Sequence, residues 1–230
     1  AAALPRGVRR WLLERDATID KYIGDAIMAF WNAPLDIADH PRQACLAALD
    51  MLTAVDRLNA ETGRTLQVGI GLHTGWAWVG NLGSEQRFSY SAIGDAINLA
   101  SRVEGLTKQY GVSIAVTSET RRAAGNLAFL EIDAVRVVGR SSPVTLHALL
   151  GDTDVADGEA FADLAAWHGH LLEAYRSTDF TAARALLDGP RPAMAETLAP
   201  VYALYADRMD SFIANPPGAG WDGVHVARSK

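Results

Sequence analysis

Two short apolar runs, Ile19 to Ile23 and Ala26 to Trp31, are separated by only two residues, Gly24-Asp25. A pair of this type between strand-like runs is the strongest short-range signal for a β-hairpin. The stretch therefore predicts two antiparallel strands with one carboxylate, Asp25, at the tip. Lys21 lies on the incoming strand, so two opposite charges sit on stiff backbone rather than on a solvated loop. Taken alone, Asp25 also suits an ordinary turn position, and the hairpin by itself does not separate a structural from a functional aspartate.

A second stretch, residues 67–102, reads Gln-Val-Gly-Ile-Gly-Leu-His-Thr-Gly-Trp-Ala-Trp-Val-Gly-Asn-Leu-Gly-Ser-Glu-Gln-Arg-Phe-Ser-Tyr-Ser-Ala-Ile-Gly-Asp-Ala-Ile-Asn-Leu-Ala-Ser-Arg. Together with Asp-Lys-Tyr-Ile-Gly-Asp at 20–25, it closely resembles the catalytic domain of the class III adenylate/guanylate cyclases. The similarity runs from about Ala17 to Leu150, with several separate motifs in the family's order. The resemblance implies the fold class: α/β of the α+β kind, a ferredoxin-like, palm-type mixed sheet with covering helices. A C-terminal helical extension follows it in the sequence.

The periodicities along the chain fit that frame. A helical pattern covers Arg6 to Ala17, and a helix from Asp39 to about Leu58 follows the hairpin. Leu66 to Leu72 alternates, Gly75 turns the chain into Trp76 to Val79, and these two predict a further antiparallel pair. Asn81 to Phe88 reads as a polar excursion or protruding hairpin before a strand from Phe88 to Ile93. A helix from Ala96 to Tyr110, closed by Gly111, precedes a strand over Val112 to Thr117 and a short helix capped by Ser118. Phe129 to Val138 and Val144 to Leu150 predict a closing strand pair. The polar stretch Asp152 to Glu159 reads as a linker between a catalytic domain over 1–151 and an extension over 152–230. That extension predicts helices over Phe161 to Tyr175, Thr181 to Leu187 and Glu196 to Ile213, the first two resembling one tetratricopeptide-type helix pair. An irregular tail anchored by Trp221 comes last.

A formal charge of −6 argues against a polyanion-binding surface working by bulk charge, so nucleic acid is not an expected partner. Cys45, the only cysteine, sits in an Ala/Leu-rich helical run and reads as a small core residue in a reducing, cytoplasmic setting. His40 and Cys45 on one helix lack the further ligands of a zinc site. No run approaches the roughly 20 apolar residues that cross a bilayer, so no membrane contact by this segment is expected. The resemblance adds that such domains often follow a membrane-embedded or sensory region, so an upstream region of that kind is compatible with the chain.

Forming a cyclic nucleotide requires the ribose 3′-oxygen to attack the α-phosphorus in line while pyrophosphate leaves. Two divalent cations, Mg²⁺ or Mn²⁺, can activate the attacking oxygen and neutralise phosphate charge. By resemblance, Asp25 matches one of the family's two metal aspartates. The other lies in a Phe-Xaa-Asp-Ile motif that does not occur here, and neither Asp16 nor Asp20 has the context to replace it. The sequence thus reads as N-terminally incomplete for the family, with little turnover expected from this segment alone.

Asn98 and Arg102, spaced i, i+4, share a helix face near an N-terminus whose dipole favours anions. The resemblance makes Asn98 the ribose-orienting amide and Arg102 the transition-state cation; the bland alternative is an exposed Asn and an Arg paired with Asp95 or Glu104. Lys21 and Ser91 match the family's base-selecting positions. A lysine donor suits adenine N1 and a hydroxyl can accept from its 6-amino group, whereas guanylate cyclases typically carry an acidic residue where Lys21 stands. Where many relatives carry a triphosphate-binding lysine, this chain has Val137-Val138-Gly139-Arg140, so Arg140 either supplies that charge or is only a turn residue. The family's site is shared between two catalytic domains, and one chain carrying both residue classes implies a homodimer with two equivalent sites. ATP is the expected substrate. The competing reading is a non-catalytic nucleotide-binding or dimerisation module.

Overall fold

The computed structural model describes residues 10–84, 87–136, 142–218 and 220–226. Two compact units are distinguished. The first holds the described residues up to Gly105 together with Ser113–Gly125; the second holds Leu106–Val112 and the described residues from Asn126 onward.

In the first unit, strands β1 (Thr18–Ile23) and β2 (Ala26–Phe30) form the expected antiparallel hairpin, with Ile23 opposite Ala26. Gly24 opens the two-residue turn at φ 63°, a conformation that costs a side-chain-bearing residue and costs glycine little. One face of the hairpin packs on helix α1 (His40–Thr62). Leu12, Ala17 and Ala47 form a buried cluster with Ile19, Ile27, Ala29, Trp31 and Met51 against it. Cys45 is fully buried in α1, and burial pushes its thiol up to about 12.

Helix α1 runs four residues past the expected end near Leu58. Asn59, now in its last turn, then uses its side chain on the backbone of Leu66, donating to the carbonyl at 2.9 Å and accepting from the N–H at 2.8 Å. With Leu66 engaged in this way, the strand expected from Leu66 begins only at Ile70, as β3 (Ile70–Leu72). The strand pairing also differs from expectation. Trp76 to Val79 does not fold back on β3; instead β4 (Trp78–Ser84) pairs antiparallel with β5 (Arg87–Ile93), Trp78 opposite Ile93 and Ser84 opposite Arg87. Of the two readings of Asn81 to Phe88, polar excursion or protruding hairpin, the structure has the hairpin, with ladder over most of its length.

Strand β3 pairs in parallel with β6 (Ile114–Thr117), joined to it through helix α2 (Asp95–Tyr110), a right-sized crossover for parallel neighbours. Thr117, not Ser118, is the N-cap of the short helix α3 (Ser118–Ala124). Its hydroxyl lies 2.9 Å from His73 Nδ1, and Thr74 Oγ1 lies 3.0 Å from Thr120 Oγ1, so the loop after β3 is pinned to the start of α3.

In the second unit, β7 (Ala128–Arg136) pairs antiparallel with β8 (Val144–Gly151) and in parallel with β9 (His225–Val226), a mixed sheet. The segment read as a linker contains a further helical turn, α4 (Thr153–Ala156), because the Asp152 carboxylate accepts from the backbone N–H groups of Asp154 and Val155. Helices α5 (Glu159–Arg176), α6 (Phe180–Asp188) and α7 (Ala199–Ala214) follow, the last preceded by a 3-10 turn over Ala193–Leu198. They pack on β7 through polar anchors as well as apolar surface. Tyr205 donates to the Ile132 carbonyl at 3.0 Å, and buried Arg208 meets Asp133 at 2.6 Å. Tyr175, Phe180, Phe212 and Trp221 close a ring cluster, with Trp221 edge-on to Tyr175 at 5.2 Å. Among the described residues no helix is long and apolar enough to cross a membrane.

Candidate active site

The site residues read from the sequence fall on three elements of the first unit. Asp25 is exposed at the tip of the β1–β2 hairpin. Lys21 is on β1, Ser91 on β5, and Asn98 and Arg102 on α2. Arg140 lies outside the described residues, as do its neighbours from Val137 to Ser141.

Lys21 and Ser91, seventy residues apart in sequence, are brought together: the Lys21 ammonium donates to Ser91 Oγ at 3.2 Å. A β-bulge in β1 produces this meeting. Ile19 pairs with Ala29 and Lys21 with Met28, the next residue along β2, so Asp20 is extra in the register. Regular alternation would put Lys21 on the same face as Ile19, against α1. The extra residue turns Lys21 onto the other face, in company with Asp20, where β5 presents Ser91.

Asp20 is the member of this cluster that the sequence does not disclose. Its side chain is 0% exposed, Oδ2 accepts from Ser91 Oγ at 2.7 Å, and Oδ1 faces the Lys21 ammonium at 3.5 Å. Oδ1 has no hydrogen-bond partner among the described residues. Ser91 is 3% exposed while the Lys21 side chain is half exposed, so the cluster has a buried base and an open cationic rim. A concavity of about 490 Å³ flanks β1, but of these residues only Asp20 lines it, beside Leu13, Ala17, Thr18, Ile19 and Tyr22.

Helix α2 starts just after Gly94, whose carbonyl accepts from Ile97 N and Asn98 N. Asn98 therefore sits in the first turn and is exposed; Arg102, one turn on along the same face, is half-buried. The position of α2 is set by Gly71 of β3. A Cβ there would lie 2.2 Å from Glu104 N and 2.5 Å from Ala100 O, so the helix backbone rests directly on the strand at the turn that follows Asn98. Trp76 and Trp78, by contrast, face outward, 99% and 81% exposed, with Ile93 opposite Trp78 also exposed.

Among the described residues no group of three or more His, Cys, Asp or Glu side chains could hold a metal ion. Asp25 offers one carboxylate, which makes a ligand but not a cage.

The family model of the adenylate and guanylate cyclase catalytic domain matches residues 9–151, more than half of the sequence, and the chain belongs to this family. It is 43% identical over 140 residues to the adenylate cyclase of Anabaena cylindrica and 31% identical over 141 residues to adenylate cyclase 1 of Rhizobium meliloti (strain 1021). These matches take in 57% and 59% of this chain but only 26% and 21% of those proteins. Among solved structures it resembles the guanylyl cyclase Cya2, with a TM-score of 0.60 at 29% identity over 68% of this chain and 78% of that one. The adenylyl cyclase CyaB from P. aeruginosa has the same fold, with a TM-score of 0.54 at 24% identity over 65% of this chain and 79% of that one. The palm-type fold expected from the sequence is thus the fold of the family. Relatives of both nucleotide specificities are represented.

Proposed function

We propose that this chain is the catalytic segment of an adenylate cyclase, converting ATP to 3′,5′-cyclic AMP and pyrophosphate. The observation that carries the choice of ATP is the Lys21–Ser91 contact, 3.2 Å, which sets an N–H donor beside a hydroxyl oxygen at one spot. Adenine offers the complement, an acceptor at N1 and a donor at its 6-amino group; guanine offers the reverse at both atoms.

In the reaction the ribose 3′-oxygen forms a bond to the α-phosphorus as the bond to the bridging oxygen of the β-phosphate breaks. The hydroxyl proton departs to solvent and pyrophosphate leaves with the bond pair. Asn98, in the first turn of α2, orients the ribose through its amide. Arg102 on the same face meets the charge that grows on the α-phosphate, worth about 3 kcal/mol for one well-aimed donor. Asp25 would supply one carboxylate ligand to a divalent cation, and such an ion, when bound, would help activate the attacking oxygen and offset phosphate charge. The site is completed across a homodimer, for which the exposed Trp76, Trp78 and Ile93 supply an apolar surface.

The test is cyclic AMP production by the full-length protein with ATP and Mg²⁺ or Mn²⁺. Arg102→Ala should lower turnover at least about 100-fold while leaving the fold intact. A folded full-length dimer that binds ATP and makes no cyclic product would favour a non-catalytic nucleotide-binding module instead.

A further inference from the structure

We propose that Asp20 is a specificity-determining positioning residue: it makes the Ser91 oxygen an acceptor only, so that the site takes a purine nucleotide with a 6-amino group and refuses one with a 6-oxo group. This rests on the reading of the Lys21–Ser91 pair as the base-recognition site.

A serine hydroxyl is by itself ambivalent. It carries one hydrogen and two lone pairs, and a free rotor can accept from an amino group or donate to a carbonyl with equal ease. Ser91 alone therefore cannot tell adenine from guanine at the 6-position. Asp20 removes the ambiguity. A carboxylate has no proton to give, so at 2.7 Å the Ser91 hydroxyl is the donor and its single hydrogen is committed. One lone pair of Oγ receives the Lys21 ammonium at 3.2 Å, and the other remains for the ligand.

The lysine is oriented by the same group. The ammonium donates one N–H to Ser91 and stands 3.5 Å from Asp20 Oδ1 as an ion pair, which leaves N–H capacity for a ring nitrogen. What the pair then presents is one donor and one acceptor in fixed order. A 6-oxo purine meets a mismatch at both atoms, and mismatched polar atoms on a site built to hydrogen-bond are rejected far more strongly than a missing methyl group is. The bulge belongs to the same device. Without the extra residue in β1, Asp20 and Lys21 would lie on opposite faces and could not both reach Ser91.

The experiment is nucleotide binding by the full-length protein, measured calorimetrically with the 3′-deoxy triphosphates of adenosine, inosine and purine riboside, which lack the attacking hydroxyl. Inosine changes the 6-amino group to oxo and places a hydrogen on N1; purine riboside has no 6-substituent. Wild-type protein should bind the adenosine analogue at least about 100-fold more tightly than the inosine analogue, with purine riboside between them. In Asp20→Asn the amide can donate to Ser91 and release its hydrogen, and the ratio should collapse to within about tenfold. In a Ser91→Ala background the same Asp20→Asn change should move the ratio far less than it does with Ser91 present, a dependence on Ser91 that a merely structural role for Asp20 would not produce.

An Asp20→Asn protein that binds nucleotide with the wild-type ratio overturns the proposal and leaves the base-recognition reading standing. Should Asp20→Asn fail to fold, the wild-type series decides: equal binding of the adenosine and inosine analogues, or of the adenosine and purine riboside analogues, overturns it. Binding of none of the three overturns the base-recognition reading and the proposal with it.

Discussion

Arg208 on α7 forms a buried ion pair with Asp133. Its guanidinium is 2.6 Å from Asp133 Oδ2 on β7, with Arg208 8% and Asp133 1% exposed. Asp133 also accepts from Tyr110 Oη at 2.5 Å, at the end of α2, and from Ala134 N at 2.8 Å. Burial, reinforced by the Asp133 charge, pushes the Tyr110 phenol well above its ordinary range, so it stays a donor. Arg208→Ala leaves the Asp133 carboxylate buried with two neutral donors and no cation, and breaking a buried pair in this way costs about 3 to 5 kcal/mol. The guanidinium also stands 5.5 Å over the Tyr205 ring, a contact that adds roughly 1 kcal/mol when desolvated. A loss of about 5 kcal/mol is expected. Removing both charges with Asp133→Asn and Arg208→Met together should cost far less than the single change, by at least about 2 kcal/mol, because no uncompensated charge remains. Hydrogen exchange read by mass spectrometry on β7 peptides is the assay, since it reports this unit without averaging over the other; the single variant should speed exchange there about 1000-fold or more. A change under about tenfold, or a double variant worse than the single, would refute the idea that this pair locks α7 to the sheet.

Two further outcomes follow from the geometry. His168 on α5 is buried with Nε2 2.6 Å from the Glu131 carbonyl, so Nε2 carries the hydrogen and Nδ1 accepts from Tyr202, 3.1 Å away; burial holds the ring's pKa down at about 4. The unfolded state binds a proton from about pH 6.5 downward while the folded state does not until near 4. Stability should therefore fall by up to about 3 kcal/mol as pH drops through that window, a slope in urea unfolding that His168→Phe should remove. Gly71→Ala puts a Cβ 2.2 Å from the backbone of α2, so the helix that carries Asn98 and Arg102 must shift; turnover should drop about 100-fold with the far-UV circular dichroism retained. Wild-type turnover in that variant would show that the close approach does not position the helix.

How much of this was legible in the sequence differs by element. The Gly24-Asp25 hairpin was, because two apolar runs around a turn pair leave few other options. Helix α2 was too, because its periodicity is sustained and Gly111 closes it. The partner of Trp76 to Val79 was not: sequence order paired it with Leu66 to Leu72, and the polar and small residues Asn81, Gly83 and Ser84, which an outward-facing ladder accepts, left an excursion and a protruding hairpin equally open. The late start of β3 depends on Asn59, a residue in another element whose amide mimics a strand partner, and no local pattern reports that. Lys21 and Ser91 could be paired only through family motifs, since nothing in the spacing of residues 21 and 91 brings them together. Asp20 stayed hidden for a sharper reason. Alternation assigns it to the face opposite Lys21, and a one-residue bulge, which carries no composition signature here, reverses that assignment.

The central claim is that Lys21 and Ser91 read the edge of adenine. The most direct measurement is a competition: full-length protein with equimolar ATP and GTP and Mn²⁺, both cyclic products quantified in one reaction. Cyclic AMP should exceed cyclic GMP by at least about 100-fold, and Lys21→Glu should erode that excess. Equal yields from the wild-type protein, or an excess of cyclic GMP, would contradict the account.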